Sequence, residues 1–487
     1  MLKWRASRAV AWSGGDLLLR QGVQFAAMLI LARLLAPADF GVVAILALFI
    51  GIGSVLADGG FTAALIQRQD ADHADESTVF WCNLVLGAAM ALALVLSAPW
   101  LSTYLQVPVL KSLAWMGGLV VLTSALGAVH VALLAKRMDF QTQAKAGGAA
   151  ALISCTLAVV LALRGHGVWA LAWQAVTMSA INTLLLWRFH RWRPLVVWRV
   201  DSLRKLGSFG AFHLGSTLME VIYSRLYALL LGRSWGLGAV GYYNNADYLR
   251  QLPANLLGAM VGRVALPVFA SVGNERALLK RGMQLSLRVM MLVNAPLMLA
   301  GVVLAEPVIL ALLGSQWKPT IPVFQVLCLA TVLYPLHLLN INLLLGRGHA
   351  RLVFRLEVIK KILGTVLLLL GVQYGVLGIA WSQVIFSVAA FGINAFYAQS
   401  LIGYSGLAQI RDCLPSLILA TGSSALLLGL YYMFPAPSLL MLVALACIGT
   451  AVYLAGHMAA RTDAWRDAME IGRSFCSFGT TGAAQIK

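Results

Sequence analysis

Charge is scarce in this chain. Only 11% of its 487 residues are Asp, Glu, Lys or Arg, against about 25% in a soluble globular domain. That excludes a water-soluble fold of this size and equally excludes a disordered chain. Acids are the scarcer sign, with 18 Asp and Glu against 36 Lys and Arg. Cysteine is also sparse. Cys82, Cys155, Cys328, Cys413, Cys447 and Cys476 form no CxxC pair and mostly sit in apolar runs, so they read as small buried hydrophobes rather than a zinc or disulfide framework. No GxxxxGK[ST] phosphate loop and no HExxH zinc motif occurs, and no polar stretch reaches the ~50 residues of a soluble domain. An ATPase of its own is therefore not expected, and no cofactor or metal is called for.

Apolar length is abundant. The chain is 60% hydrophobic with a mean hydropathy of +0.84, enough for about 14 helical spans of roughly 20 residues each. Runs of spanning length fall near 10–32, 41–64, 79–98, 113–135, 147–163, 167–188, 207–232, 252–272, 285–304, 321–345, 355–372, 376–397, 415–433 and 437–459. The first run holds Asp16 and Arg20, too long and polar for a signal peptide, and reads as a retained span. The expectation is an all-α polytopic membrane protein. An even number of spans puts both termini on one side. If that side is cytoplasmic, the opposite loops hold only Arg33, Lys111, Arg164, Arg233, Arg250 and Lys318, as the positive-inside rule requires. The net charge of +18 then needs no nucleic acid. One loop dissents: Arg68 to Glu76 carries Asp70, Asp72, Asp75 and Glu76.

The chain echoes itself. Leu31-Ala-Arg33 to Gly41 recurs as Leu231-Gly-Arg233 to Gly241, and Gly167-Val-Trp-Ala-Leu-Ala-Trp-Gln174 recurs as Gly375 to Gln383. Copies six spans apart share one orientation, which is a parallel repeat. The expected layout is a six-helix bundle at 1–190, a basic cytoplasmic linker at 191–206, a second bundle at 207–400, two extra helices at 401–460 and a cytoplasmic tail at 461–487. Two bundles around a central cavity suit alternating access.

Ionisable groups inside spans are costly and tend to face a partner or a wet cavity. Asp16 and Arg20 share one helix face as a local ion pair, or else Arg20 meets Glu220 across the cavity, their positions being equivalent under the repeat. Arg263 sits at mid-span with no acid within a turn, and with Arg225 and Arg20 it suggests a cationic cavity for phosphate or acidic sugars. Arg225 could instead snorkel outward. Asp58, before Gly59-Gly60, either carries a proton or caps the turn, and capping is favoured. His130, His213 and His337 read as hydrogen-bonded core residues. Asn340 and Asn342, near Pro335, either line a broken helix or bond helix to helix. Trp187, Trp192 and Trp198 read as interfacial anchors.

Leu31 to Gly41, Asp58-Gly-Gly-Phe61, Ala64 to Arg68, Thr78-Val-Phe-Trp81, Gly241-Tyr-Tyr-Asn244 with Ala246-Asp247, and Tyr334-Pro335 to Asn340 resemble the polysaccharide transporter family of the MOP flippase superfamily, nearest to its Wzx-like exopolysaccharide exporters. The resemblance covers roughly residues 1–400. It implies a bacterial inner-membrane flippase for undecaprenyl-pyrophosphate-linked oligosaccharides, ion-coupled, working beside a polysaccharide polymerase and a chain-length regulator among membrane lipids. On that reading Arg263, Arg225 and Arg20 hold the anionic head group, while Glu220, Asp16 and Asp58 serve ion coupling or pairing between bundles. A multidrug exporter of the same superfamily would favour acidic cavity walls. A membrane polymerase or ligase would need a long outer loop, which is missing. A scaffold subunit without transport is separable only by assay.

Overall fold

Gly and Pro set the helix ends, and long apolar runs fill the helices between them. We obtained a computed structural model of the chain, which describes residues 2–68, 70–271, 275–433 and 439–470. The described residues are helices joined by short turns. They divide into two compact units, Met1–Asn244 and Asn245–Lys487. The first holds α1 (Leu2–Leu34), α2 (Pro37–Asp58), α3 (Phe61–Gln67), α4 (His73–Leu105), α5 (Val109–Lys136), α6 (Phe140–Leu163), α7 (Val168–Phe189) and α8 (Val200–Ser234). Helix α9 (Gly236–Ser271) carries the boundary. The second unit continues with α10 (Arg276–Val303), α11 (Ala305–Leu312), α12 (Thr320–Val332), α13 (Tyr334–Gly346), α14 (Ala350–Gly371), α15 (Gly375–Ile402), α16 (Gly406–Met433) and α17 (Leu439–Ala459).

Eleven stretches among the described residues are long and apolar enough to cross a membrane, and one of them, Arg351–Ile402, holds both α14 and α15. Small residues let these helices approach closely, as apolar packing in lipid requires. A Cβ on Gly87 of α4 would stand 2.7 Å from Cβ of Ala125 on α5. Cys82, Cys155, Cys328 and Cys413 are buried free thiols and Cys447 is exposed; Cys476 lies outside the described residues.

Two expected spans are each broken in two. The run expected at 41–64 stops at Asp58, because Gly59 and Gly60 both adopt positive φ, which glycine does without strain. The run expected at 321–345 breaks at Leu333, with Pro335 in the first turn of α13. Asn294 of α10 donates to the carbonyls of Thr331 and Val332, each at 3.1 Å, and so satisfies acceptors that the break frees. Asn340 exchanges amide hydrogen bonds with Gln409 of α16 at 2.8 and 3.2 Å, so of its two readings it bonds helix to helix.

The acidic loop that dissented from the charge pattern has a structural role. Asp72 caps α4 by accepting from the Asp75 amide at 2.7 Å, and Asp75 accepts in return from the Asp72 amide at 3.2 Å, a reciprocal cap. The basic segment after α7 lies across this helix start. Trp81 donates its indole N–H to the Leu195 carbonyl at 2.8 Å, the Leu195 amide donates to Ser77 at 3.0 Å, and Arg199 reaches Asp72 at 3.0 Å. Trp192, expected as an interfacial anchor, is buried instead and donates to Glu76 at 2.7 Å. Its indole N–H finds a carboxylate inside the protein, so it does not seek the headgroup layer.

Candidate functional site

The second unit holds an open-mouthed cavity of about 260 Å³. Helix α9 contributes Arg250, α12 contributes Thr331, α13 contributes Tyr334 and His337, α14 contributes Glu357, Lys360 and Lys361, and α15 contributes Gln383 and Ser387. The break at Leu333 puts Thr331 and Tyr334 at neighbouring helix ends, where both reach the cavity.

Sequence reading placed Arg250 in an outer loop, and the structure corrects that assignment, whereas Lys360 and Lys361 fall inside the run expected at 355–372. Helix α9 starts at Gly236, well before the apolar run that marked it. Arg250 Nε donates to Asp247 one turn earlier at 2.8 Å, and its Nη1 donates to Thr331 at 3.0 Å. Helix α14 starts at Ala350, so both lysines are helical. Lys360 is only 4% exposed and donates to Glu357, one turn back on the same face. His337 and Ser387 share a hydrogen bond at 2.9 Å, and the Ser387 hydroxyl donates to the Ala330 carbonyl at 2.9 Å.

This is a donor-rich site. Guanidinium, ammonium, amide and hydroxyl groups face it, and Glu357 is the one carboxylate among the described lining residues. Such a lining favours an anionic, hydroxylated guest over a cation. The signal available in sequence was Glu357 with Lys360 at i, i+3 and Lys361 next to it inside an otherwise apolar helix.

The residues singled out from sequence fall elsewhere. Arg20 on α1 lies against α6, where a Cβ on Gly147 would stand 2.5 Å from its Nη1. Glu220 is exposed on α8. Arg225 is half-buried and makes a long hydrogen bond, 3.5 Å, to Asn244 Oδ1, which also accepts from the Tyr227 hydroxyl at 3.0 Å. Asp58 accepts from the Thr62 hydroxyl across the Gly59-Gly60 turn and from Asn83 Nδ2 at 3.5 Å. The side chains of Asp16 and Arg263 lie outside the described residues. His130 is buried, as expected of a core histidine, and its Nδ1 lies 3.3 Å from Nδ1 of His190. Among the described residues no group of three or more His, Cys, Asp or Glu is placed to hold a metal ion.

A family of polysaccharide biosynthesis proteins matches residues 30–322. The chain belongs to this family. Among its members' relatives, the teichuronic acid biosynthesis protein TuaB of Bacillus subtilis (strain 168) is 28% identical over 351 residues, 72% of this chain and 73% of that protein. The succinoglycan biosynthesis transport protein ExoT of Rhizobium meliloti (strain 1021) is 28% identical over 411 residues, 84% of this chain and 81% of that protein. The fold of this polysaccharide biosynthesis protein is that of the lipid II flippase MurJ in an inward closed conformation, with a TM-score of 0.73 at 14% identity over 92% of this chain and 98% of that one. That likeness concerns the fold alone and carries no substrate by itself.

Proposed function

We propose that this polysaccharide biosynthesis protein is a flippase that moves lipid-linked oligosaccharide repeat units across the bacterial inner membrane, for exopolysaccharide, capsule or O-antigen export. The observation that carries the reading is a donor-lined cavity set among apolar helices of a lipid-flippase fold. A polar, cationic cavity in hydrocarbon is expensive to maintain without a polar guest. A sugar with an anionic linkage is such a guest, while its lipid tail stays in the bilayer. The lining speaks against the multidrug alternative, since an exported cation calls for acidic walls.

The reading places both termini in the cytoplasm and the chain beside a polymerase and a chain-length regulator. Transport proceeds by alternating access and breaks no covalent bond. Arg263, Arg225 and Arg20 contact the pyrophosphate. Asp16, Asp58 and Glu220 serve ion coupling or pairing with these arginines. The test is translocation of a fluorescent undecaprenyl-pyrophosphate-linked oligosaccharide in proteoliposomes, with and without proton or sodium gradients. Gradient-dependent exposure of the label to an added quencher is expected. A label that stays in its leaflet under every gradient overturns the proposal. Arg263→Ala, inserted normally, abolishes translocation if the head-group assignment is right.

A further inference from the structure

We infer that the segment joining α7 to α8 is a seat for anionic phospholipid, with Val196 and Trp198 entering the interfacial layer and Arg191, Arg204 and Lys205 meeting lipid phosphates. The inference goes beyond the flippase reading and does not depend on the cargo. It needs only that the chain sits in a bilayer.

The segment lies at the edge of the hydrocarbon. Helix α7 is of spanning length and ends at Phe189, and the next stretch of spanning length begins at His213 within α8. Helix α4, whose start the segment crosses, is itself of spanning length from His73. Positions 190–200 therefore sit at the level where spans end. Leu184 and Phe189 are exposed on α7, so an outward apolar surface runs directly into the segment.

Its backbone is held from inside. His73 Nε2 lies 2.8 Å from the Arg193 carbonyl oxygen, and Trp81 donates to the Leu195 carbonyl. The Leu195 amide donates to Ser77, and the Arg199 amide donates to Thr78 at 3.2 Å. The first turns of α4 thus satisfy polar groups of an irregular stretch of chain. Backbone paired in this way can approach lipid at small cost, whereas unpaired backbone cannot.

Its apolar side chains are turned out. Val196 is 93% exposed and Trp198 is 52% exposed, with Leu195 and Val200 exposed beside them. Left in water, these groups forgo the gain of burial. Tryptophan and aliphatic groups set among arginines are the composition of an interfacial anchor. Trp192 and Trp198 serve opposite sides of the same strap, one turned in to Glu76 and the other turned out.

Charge selects the headgroup. His130, near the end of α5, lies 3.3 Å from His190, which brings the turn after α5 to the same end of the unit. Residues 68–76, 136–145 and 188–205 together hold ten Lys and Arg against six Asp and Glu. The acids are engaged within the protein: Asp70 with Arg68, Asp72 with Arg199, Asp75 with the Ser202 hydroxyl and Glu76 with the Trp192 indole. Arg191, Arg204 and Lys205 are exposed, and the surplus at this end is positive. Its occupant must supply apolar matter at the hydrocarbon edge and negative charge just outside it. An anionic phospholipid leaflet supplies both. A soluble acidic protein would match the charge but would leave Val196 and Trp198 unexplained.

The test places the full chain in phosphatidylcholine vesicles holding a minor share of phosphatidylglycerol. The emission of Trp198 is taken as the difference between the parent and Trp198→Phe, and brominated acyl chains report which lipid lies against it. Bromine on phosphatidylglycerol is expected to quench that emission more than bromine on an equal share of phosphatidylcholine, and high salt should narrow the gap. Arg191→Gln combined with Arg204→Gln should lose most of the preference. Arg276→Gln combined with Arg461→Gln removes two exposed charges elsewhere and should leave it unchanged. Equal quenching by the two lipids overturns the inference. So does no quenching by either, which would put the surface in water or against a soluble protein, and so does equal loss in the two double variants. Should Arg191→Gln with Arg204→Gln fail to insert, the parent's own preference between the two lipids decides. Translocation plays no part in this readout, so the flippase reading stands or falls separately.

Discussion

Gly41 and Gly241 occupy equivalent places in the two copies of the repeat, and each lies against the other copy's helix start. A Cβ on Gly41 would stand 2.0 Å from the carbonyl oxygen of Leu237, and one on Gly241 would stand 1.9 Å from the carbonyl oxygen of Pro37. The contacts are reciprocal, since Pro37 and Leu237 are also equivalent under the repeat. That is the signature of a local two-fold relation, seen here within the first unit. The backbone cannot retreat as a flexible side chain would, so Gly41→Ala and Gly241→Ala are each expected to destabilise by about 1–3 kcal/mol or more. The double variant should cost less than the sum of the two, because either one already opens the shared contact. Unfolding in detergent, followed by tryptophan fluorescence, measures both effects.

Gly147 offers a different contact. Here the atom that a Cβ would meet is the guanidinium of Arg20, the far end of a flexible side chain. Gly147→Ala therefore displaces Arg20 rather than backbone, and should cost less stability than Gly41→Ala. If Arg20 contacts cargo, translocation falls while the melting temperature stays within a few degrees of the parent. Unchanged translocation would remove Arg20 from the cargo path.

Asn294 supports the break between α12 and α13 by donating to two carbonyls. Asn294→Ala leaves those carbonyls without their donor in a buried place. The expected cost is about 1–3 kcal/mol, and denaturation of the variant in detergent measures it.

The segment after α7 should respond to acid. His190 is buried at its start, and burial holds the imidazole below its ordinary value; Arg137 pushes it the same way, Asp139 opposes, and Arg193 adds to the lowering. The unfolded state therefore takes up the proton first as pH falls. Stability from this region is complete above the ordinary value of about 6.5 and is lost as pH drops below it toward the folded value. Hydrogen exchange over 190–199, corrected for the intrinsic rate, should show weaker protection at pH ~5.5 than at pH ~7.5. His190→Gln should flatten the difference. Equal protection at both pH values would contradict this account.

Glu76 gives an independent handle on the same segment. Glu76→Gln keeps an acceptor for the Trp192 indole but removes its charge, and Glu76→Ala leaves the buried N–H without a partner. The Ala variant should cost more than the Gln variant, by about 1–2 kcal/mol, with the extra exchange confined to the segment over α4.

Sequence alone determined that this chain lives in a membrane as packed helices with an internal repeat. Those facts follow from local quantities: charge density, the length of apolar runs and the recurrence of Leu31 to Gly41. Tertiary structure alone decided where the isolated charges go. Trp192 and Glu76 are 116 residues apart, so no window of sequence could pair the basic segment with the acidic loop. Arg250, Lys360 and Lys361 carried the same positive sign as true loop residues. Only the packing of α9, α12, α13, α14 and α15 turned them toward one cavity. A charge is read as loop or lining according to what surrounds it, and the surroundings are long-range.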